Sequence, residues 1–202
     1  INYTKPGSSL AKKIWQKITK FGASEIIFLE NHGIIICGKD IKDLKNLIKK
    51  LKSIFLLPKT LIKPKDSYIE ISKIPTGFKI YENNLCNHLI QRDDFFFIIK
   101  NYWALYPDHI VFLGPKAEIH SKIDSPTLNK NILNTSKFIF LKSGSVLCYN
   151  EISEVEIEQM TCYLEVISRI PPDREIRKLT QKEVLELLNW DAETHRKSIN
   201  LK

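Results

Sequence analysis

The sequence predicts an α/β (α+β) fold arranged in two modules, and three observations carry that expectation. Two apolar, β-branched runs, Ile26-Ile27-Phe28-Leu29 and Ile34-Ile35-Ile36-Cys37, bracket the turn Glu30-Asn31-His32-Gly33. Amphipathic helical spacing flanks this pair on both sides. A second strand, turn, strand and helix pattern then recurs around Phe138–Tyr149.

The first helix is expected from Ser9 to Phe21, where Leu10, Ile14, Ile18 and Phe21 recur at helical spacing and Gly22 supplies a stop. Its apolar stripe is expected to pack on the sheet. The two β-branched runs then pair as a hairpin, because Asn31 and Gly33 tolerate the positive φ that such a turn requires. A buried sheet would hold His32 at a fixed position. An isolated turn histidine can simply bond to backbone. A fixed imidazole also suits zinc and similar divalent ions, which take further ligands from elsewhere.

Asp40 is positioned to cap a second helix carrying Ile41, Leu44, Leu47, Ile48, Leu51, Ile54 and Phe55, with lysines on its wet side. Such a basic amphipathic helix could rest on a membrane or in a partner groove, but packing on the adjacent sheet is the simpler expectation. Pro58 and the polar, proline-containing stretch to Pro75 predict a linker over 59–75 between a first module (1–58) and a second (76–202).

In the second module, Asp93-Asp94 precedes Phe95-Phe96-Phe97-Ile98-Ile99 and reads as acidic residues opening a helix rather than as paired catalytic carboxylates. Tyr106-Pro107-Asp108-His109 is expected to close a loop before a strand at Ile110–Gly114, with Asp108 orienting the backbone or the imidazole. His109 could thereby sit beside a ligand. Cys86 and His88 form a weak Cys-x-His pair, and His120 and His195 carry no sharper case. The run Phe138–Leu141, Lys142-Ser143-Gly144, Ser145–Tyr149 echoes the first hairpin and places Gly144 at the position of His32. Ser153 and Glu156 form a capping box for the following helix, in which Val155, Met160, Leu164 and Ile167 recur. A second capping box, Thr180 with Glu183, opens a terminal helix through Arg196, docked by Trp190, while Asp191, Glu193, His195 and Arg196 face water.

Composition narrows the function classes. The 202 residues include 43% hydrophobic residues, as a globular protein requires, and no run of about 18 apolar residues spans a membrane. No secretory leader is evident at the start, so a cytoplasmic protein without membrane association is expected. Four dispersed cysteines, Cys37, Cys86, Cys148 and Cys162, predict buried reduced thiols. The net charge of +8 is carried mostly by lysine, with arginine only at 92, 169, 174, 177 and 196 and no nucleic-acid motif, so nucleic acid is not the expected partner.

Pro6-Gly7-Ser8-Ser9-Leu10-Ala11, a helix, and then Ile27-Phe28-Leu29-Glu30-Asn31-His32-Gly33-Ile34-Ile35-Ile36-Cys37-Gly38 followed by another helix closely resemble the second half of the class II aldolase/adducin family. The resemblance implies a three-layer α/β/α module about a mixed, largely antiparallel sheet, with His32 one of three histidine ligands to a divalent metal, zinc being the expected ion. In enzymes of that family the metal polarises a carbonyl or holds an enediolate during cleavage or rearrangement of a sugar phosphate or related compound. The family's His-x-His pair, catalytic carboxylate and phosphate-binding residues lie N-terminal to this turn. The chain starts at Ile1, and its only methionine is Met160, so it is expected to be a piece of a longer protein whose catalytic set it only partly contains.

The 107–109 region and the C-terminal run resemble a longer, bacterial, two-module subgroup. The echo at Gly144 then reads as a degenerate duplication that has lost its ligand. The resemblance further implies a homo-oligomer acting on a phosphorylated sugar. The alternative is a noncatalytic assembly module, as in the adducin branch.

Overall fold

A computed structural model describes residues 1–61, 63, 74–121, 136–171, 174–191 and 195. Helices and strands are mixed throughout, as expected of an α/β chain. The chain divides into two compact units, Ile1–Pro58 and Lys59–Lys202.

Unit 1 runs α1 (Ser8–Phe21), β1 (Ile26–Leu29), β2 (Gly33–Ile36) and α2 (Ile41–Phe55). The terminators act as the sequence predicts. The Gly22 N–H closes α1 onto the Ile18 carbonyl at φ 85°, and the Asp40 carboxylate accepts the Asp43 N–H at the start of α2. β1 and β2 pair antiparallel, from Ile26 opposite Ile36 to Leu29 opposite Gly33. Asn31 (φ 52°) and Gly33 (φ 142°) supply the left-handed positions of the turn.

The packing of this unit departs from expectation. Leu10 is its one buried hydrophobic residue among those described, and no residue of α2 is buried. Phe28, Ile34, Ile48 and Phe55 stay between 41% and 58% exposed, so the sheet is not buried and does not cover the stripe of α2. The physical reason is size. Two strands and two helices offer too little surface to enclose one another, and a lone hairpin is marginal without a third layer.

Unit 2 contains β3 (Phe78–Ile80), α3 (Asn84–Leu89), α4 (Phe95–Asn101), α5 (Pro107–Leu113), β4 (Glu118–His120), β5 (Phe138–Leu141), β6 (Ser145–Tyr149), α6 (Glu154–Ile167) and α7 (Gln181–Leu188). Its sheet has the order β3-β6-β5-β4, with β4 parallel to β5 and the other neighbours antiparallel, hence mixed and largely antiparallel. β5 is buried along its whole length. Strand alternation sends Phe138 and Phe140 into a large cluster with Phe95, Ile99, Met160 and Tyr163, while Ile139 and Leu141 join Phe78 and Leu147 in a second cluster. Both capping boxes form, Ser153 with Glu156 and Thr180 with Glu183. α7 ends at Leu188 with Asn189 as its C-cap, so the helix expected to run through Arg196 stops before Trp190; Glu193 and Arg196 lie outside the described residues. Much of the expected 59–75 linker lies outside them too. Its first residues are tied down within unit 2, because Lys59 pairs with Glu165 at 2.6 Å and the Thr60 N–H reaches the Ser168 carbonyl at 2.7 Å.

One expected element is wrong in kind. Ile110–Gly114 is not a strand; Pro107–Leu113 is a helix, with Tyr106 extended at its N-cap and Gly114 (φ 93°) ending it. Proline at the first helical position is pre-set for a helix, and an apolar run buried on all sides has no amphipathic period to betray it. The cysteine expectation holds for Cys86 and Cys148, whereas Cys37 and Cys162 are exposed; all four are free thiols.

The two hairpins share their register and turn hydrogen bonds. Leu29 faces Gly33 across the first turn, and Leu141 faces Ser145, each numbered 112 higher, across the second. The His32 N–H bonds to the Leu29 carbonyl at 3.1 Å, and the Gly144 N–H to the Leu141 carbonyl at 2.9 Å. On the outer edge of each first strand, the Glu30 N–H meets the Ile1 carbonyl at 3.0 Å and the Lys142 N–H meets the His120 carbonyl at 2.9 Å. Beyond the turn, Cys37 bonds back to Glu25 as Tyr149 does to Lys137.

Candidate functional site

His32 stands at the tip of the β1–β2 hairpin with its side chain exposed. Its backbone is fixed by the bond to Leu29, and the neighbouring Glu30 carboxylate accepts the Tyr3 N–H at 2.8 Å, so the turn is tied down at His32 and at Glu30. An exposed imidazole on a fixed backbone can accept a metal ion through a ring nitrogen. It fits one coordination position. Among the described residues no group of three His, Cys, Asp or Glu side chains converges to complete a metal site, so the donor set here is partial and no reaction step follows from it.

The other histidines go to different fates. Cys86 and His88 lie two residues apart on α3, which turns their side chains to different faces of the helix. Burial also pushes the Cys86 thiol up to about 12, far from a metal-binding thiolate. His120 ends β4, with Nε2 3.8 Å from the Glu118 carboxylate. His195 is exposed.

His109 is the least expected. It lies within α5 rather than in a loop, is 0% exposed, and neither ring nitrogen has a hydrogen-bond partner among the described residues. Asp108 therefore does not orient the imidazole by a hydrogen bond. Instead the ring packs edge-on against Tyr163 at 4.3 Å and Trp103 at 4.4 Å, with Tyr106 at 5.5 Å. Burial holds its pKa down at about 3, which keeps it neutral. It behaves as an aromatic core residue.

Asp93 and Asp94 precede α4 as expected, yet Asp94 makes no side-chain cap bond. Its carboxylate instead takes the Arg92 guanidinium in a two-pronged pair, Nε to Oδ1 at 2.8 Å and Nη2 to Oδ2 at 2.6 Å. Arg92, 4% exposed, also donates to the Ile167 carbonyl at 3.2 Å, so it closes the C-terminal end of α6. No sequence signal marked Arg92, because an isolated arginine acquires this role only once α3, α4 and α6 meet.

No helix among the described residues is long and apolar enough to cross a membrane. Comparison with family models, curated proteins and solved structures returned no match to the chain.

Proposed function

We propose that the chain is part of a class II aldolase-like metalloprotein, in which His32 is a direct ligand to a divalent ion, zinc by preference. The chemistry that reading implies is reversible aldol cleavage, or a related lyase or epimerase step, on a sugar phosphate through a metal-stabilised enediolate. Three-layer α/β/α packing and descent of the two hairpin-helix units from one duplicated module belong to the same proposal. The observation that carries it is the hairpin tip: the Asn31-His32-Gly33 turn presents an exposed imidazole from a backbone clamped at Leu29 and Glu30. The shared register of the two hairpins supports duplication, with Gly144 replacing the imidazole in the second copy.

The remaining ligands would have to come from outside the described residues. The test is metal analysis of the protein expressed from its complete reading frame. About one divalent ion per chain is expected, and His32→Ala should lose it, because removing one of three histidines opens the site. Metal content unchanged by His32→Ala would overturn the assignment.

A second reading, an adducin-like noncatalytic assembly module, is favoured by the apolar surface of unit 1. Phe28, Ile34, Ile48 and Phe55 line one shallow groove of about 400 Å³, the kind of surface that association covers. The same surface supports a homo-oligomer under either reading. Stoichiometric metal that depends on His32 separates the two.

A further inference from the structure

Unit 2 holds a cleft of about 720 Å³ between the end of α4, the segment after α5, and α7. That volume lies within the ordinary range of small-molecule sites, roughly 300–1,000 Å³. Its walls are fixed. The Trp103 indole donates to the Gly114 carbonyl at 2.9 Å and is backed by His109, Phe140 and Tyr163, while the Leu179 N–H bonds to the Ala104 carbonyl at 2.7 Å and so ties the approach to α7 against the opposite wall. The Thr180 capping box then sets where α7 starts.

The lining divides by chemistry. Leu185 and Leu188 contribute exposed apolar surface over the buried Trp103 and Ala104, and Lys100, Lys116 and Lys178 come from three separate segments. No carboxylate is among the described lining residues. Lys116 is matched by Glu118 at 2.9 Å, which leaves Lys100 and Lys178 as the lining lysines with no ion-pair partner among the described residues. Two such charges beside an apolar wall complement a ligand that is doubly negative at one end and apolar at the other. A phosphomonoester, carrying between about −1.5 and −2 at pH 7, has that charge.

We propose that this cleft binds a small phosphomonoester with an apolar body, its phosphate held by Lys100 and Lys178 and its body laid against Leu185 and Leu188. The described lining belongs to unit 2 alone, and the proposal does not depend on the aldolase-like reading.

The test is isothermal titration of the intact chain with 1-naphthyl phosphate, 1-naphthol and inorganic phosphate. The naphthyl phosphate should bind at least about tenfold more tightly than either half alone, since each half forfeits one set of contacts. Lys100 and Lys178 are exposed, so the double variant Lys100→Ala/Lys178→Ala should keep its fold, checked by circular dichroism, and lose that advantage. Leu185→Asn, which adds no charge, should weaken the naphthyl compound while leaving inorganic phosphate unchanged. The comparison with the double variant removes any binding to the apolar groove of unit 1. The proposal is overturned if no saturable binding occurs, if 1-naphthol or inorganic phosphate binds as well as the ester, if the double lysine variant binds the ester as tightly as the wild type, or if decanoate displaces it as effectively as a second phosphomonoester.

Discussion

Burying His109 without a hydrogen-bond partner should make unit 2 acid-sensitive, and the size of the effect follows from the structure. The imidazole has a folded-state pKa of about 3, lowered from 6.5 by desolvation. Its neighbours Trp103, Tyr106 and Tyr163 carry no charge at these pH values, burial having raised both phenols. Between pH 6.5 and 3 the unfolded chain therefore binds a proton that the folded chain refuses. Stability is fully present above the unfolded value and is lost as pH falls below it. At pH 5 the imidazole lies about 1.5 units below its unfolded pKa, which at about 1.36 kcal/mol per unit costs about 2 kcal/mol relative to pH 7.5. His109→Phe preserves a ring of similar size, abolishes the titration and removes two unsatisfied buried nitrogens. Urea unfolding of wild type and variant at pH 7.5 and pH 5 separates these terms. The variant should lose about 2 kcal/mol less than wild type across that interval, because every other titrating group is common to both. Equal losses in the two proteins would refute the reasoning and place a polar partner or a proton on the buried ring.

Other perturbations test the elements that frame the sites. Arg92→Ala should destabilise unit 2 by about 2–4 kcal/mol in urea unfolding, because it strands the Asp94 carboxylate, itself 24% exposed, and uncovers the Ile167 carbonyl. Ser153→Ala and Thr180→Ala should each cost about 1 kcal/mol as a lost helix cap, read as a shift in the urea midpoint without a change in slope. Phe140→Ala, at a fully buried position in the large cluster, should cost about 3–5 kcal/mol by the same measurement. Gly33→Ala meets no atom within 4 Å but must hold φ 142°, so it should weaken the β1–β2 hairpin through backbone strain alone, seen as faster amide exchange at Ile34–Ile36.

Local signals were legible wherever a few adjacent residues fix the backbone. Gly22, Asp40, Ser153 with Glu156 and Thr180 with Glu183 mark helix ends through contacts spanning three or four residues, and each forms as expected. The first hairpin was readable for the same reason, since Asn31 and Gly33 occupy the positive-φ positions that its turn demands. Helix α5 was misread because Ile110, Val111, Phe112 and Leu113 are all buried, so no exposed face interrupts the apolar run to reveal its period. Pro107 carries the contrary signal, a preset first helical turn.

Placement across the chain was the harder problem. The Arg92–Asp94 pair, the aromatic packing of His109 and the three lysines of the unit 2 cleft depend on segments that meet only after folding. The two hairpins show how far pattern alone can reach. Their register and turn bonds coincide, yet β5 is wholly buried while Phe28 and Ile34 remain exposed in the first copy. The same register therefore recurs in both hairpins, and what surrounds each turn is set by packing partners that local sequence does not specify. Turn geometry accounts for the contrast between histidine at 32 and glycine at 144. Gly144 has φ 101°, a backbone state that disfavours a side chain, whereas the first turn moves its left-handed positions to Asn31 and Gly33 on either side of His32. The first copy thus has its backbone arranged so that the tip residue can carry an imidazole outward, and the second cannot present one there without changing its turn.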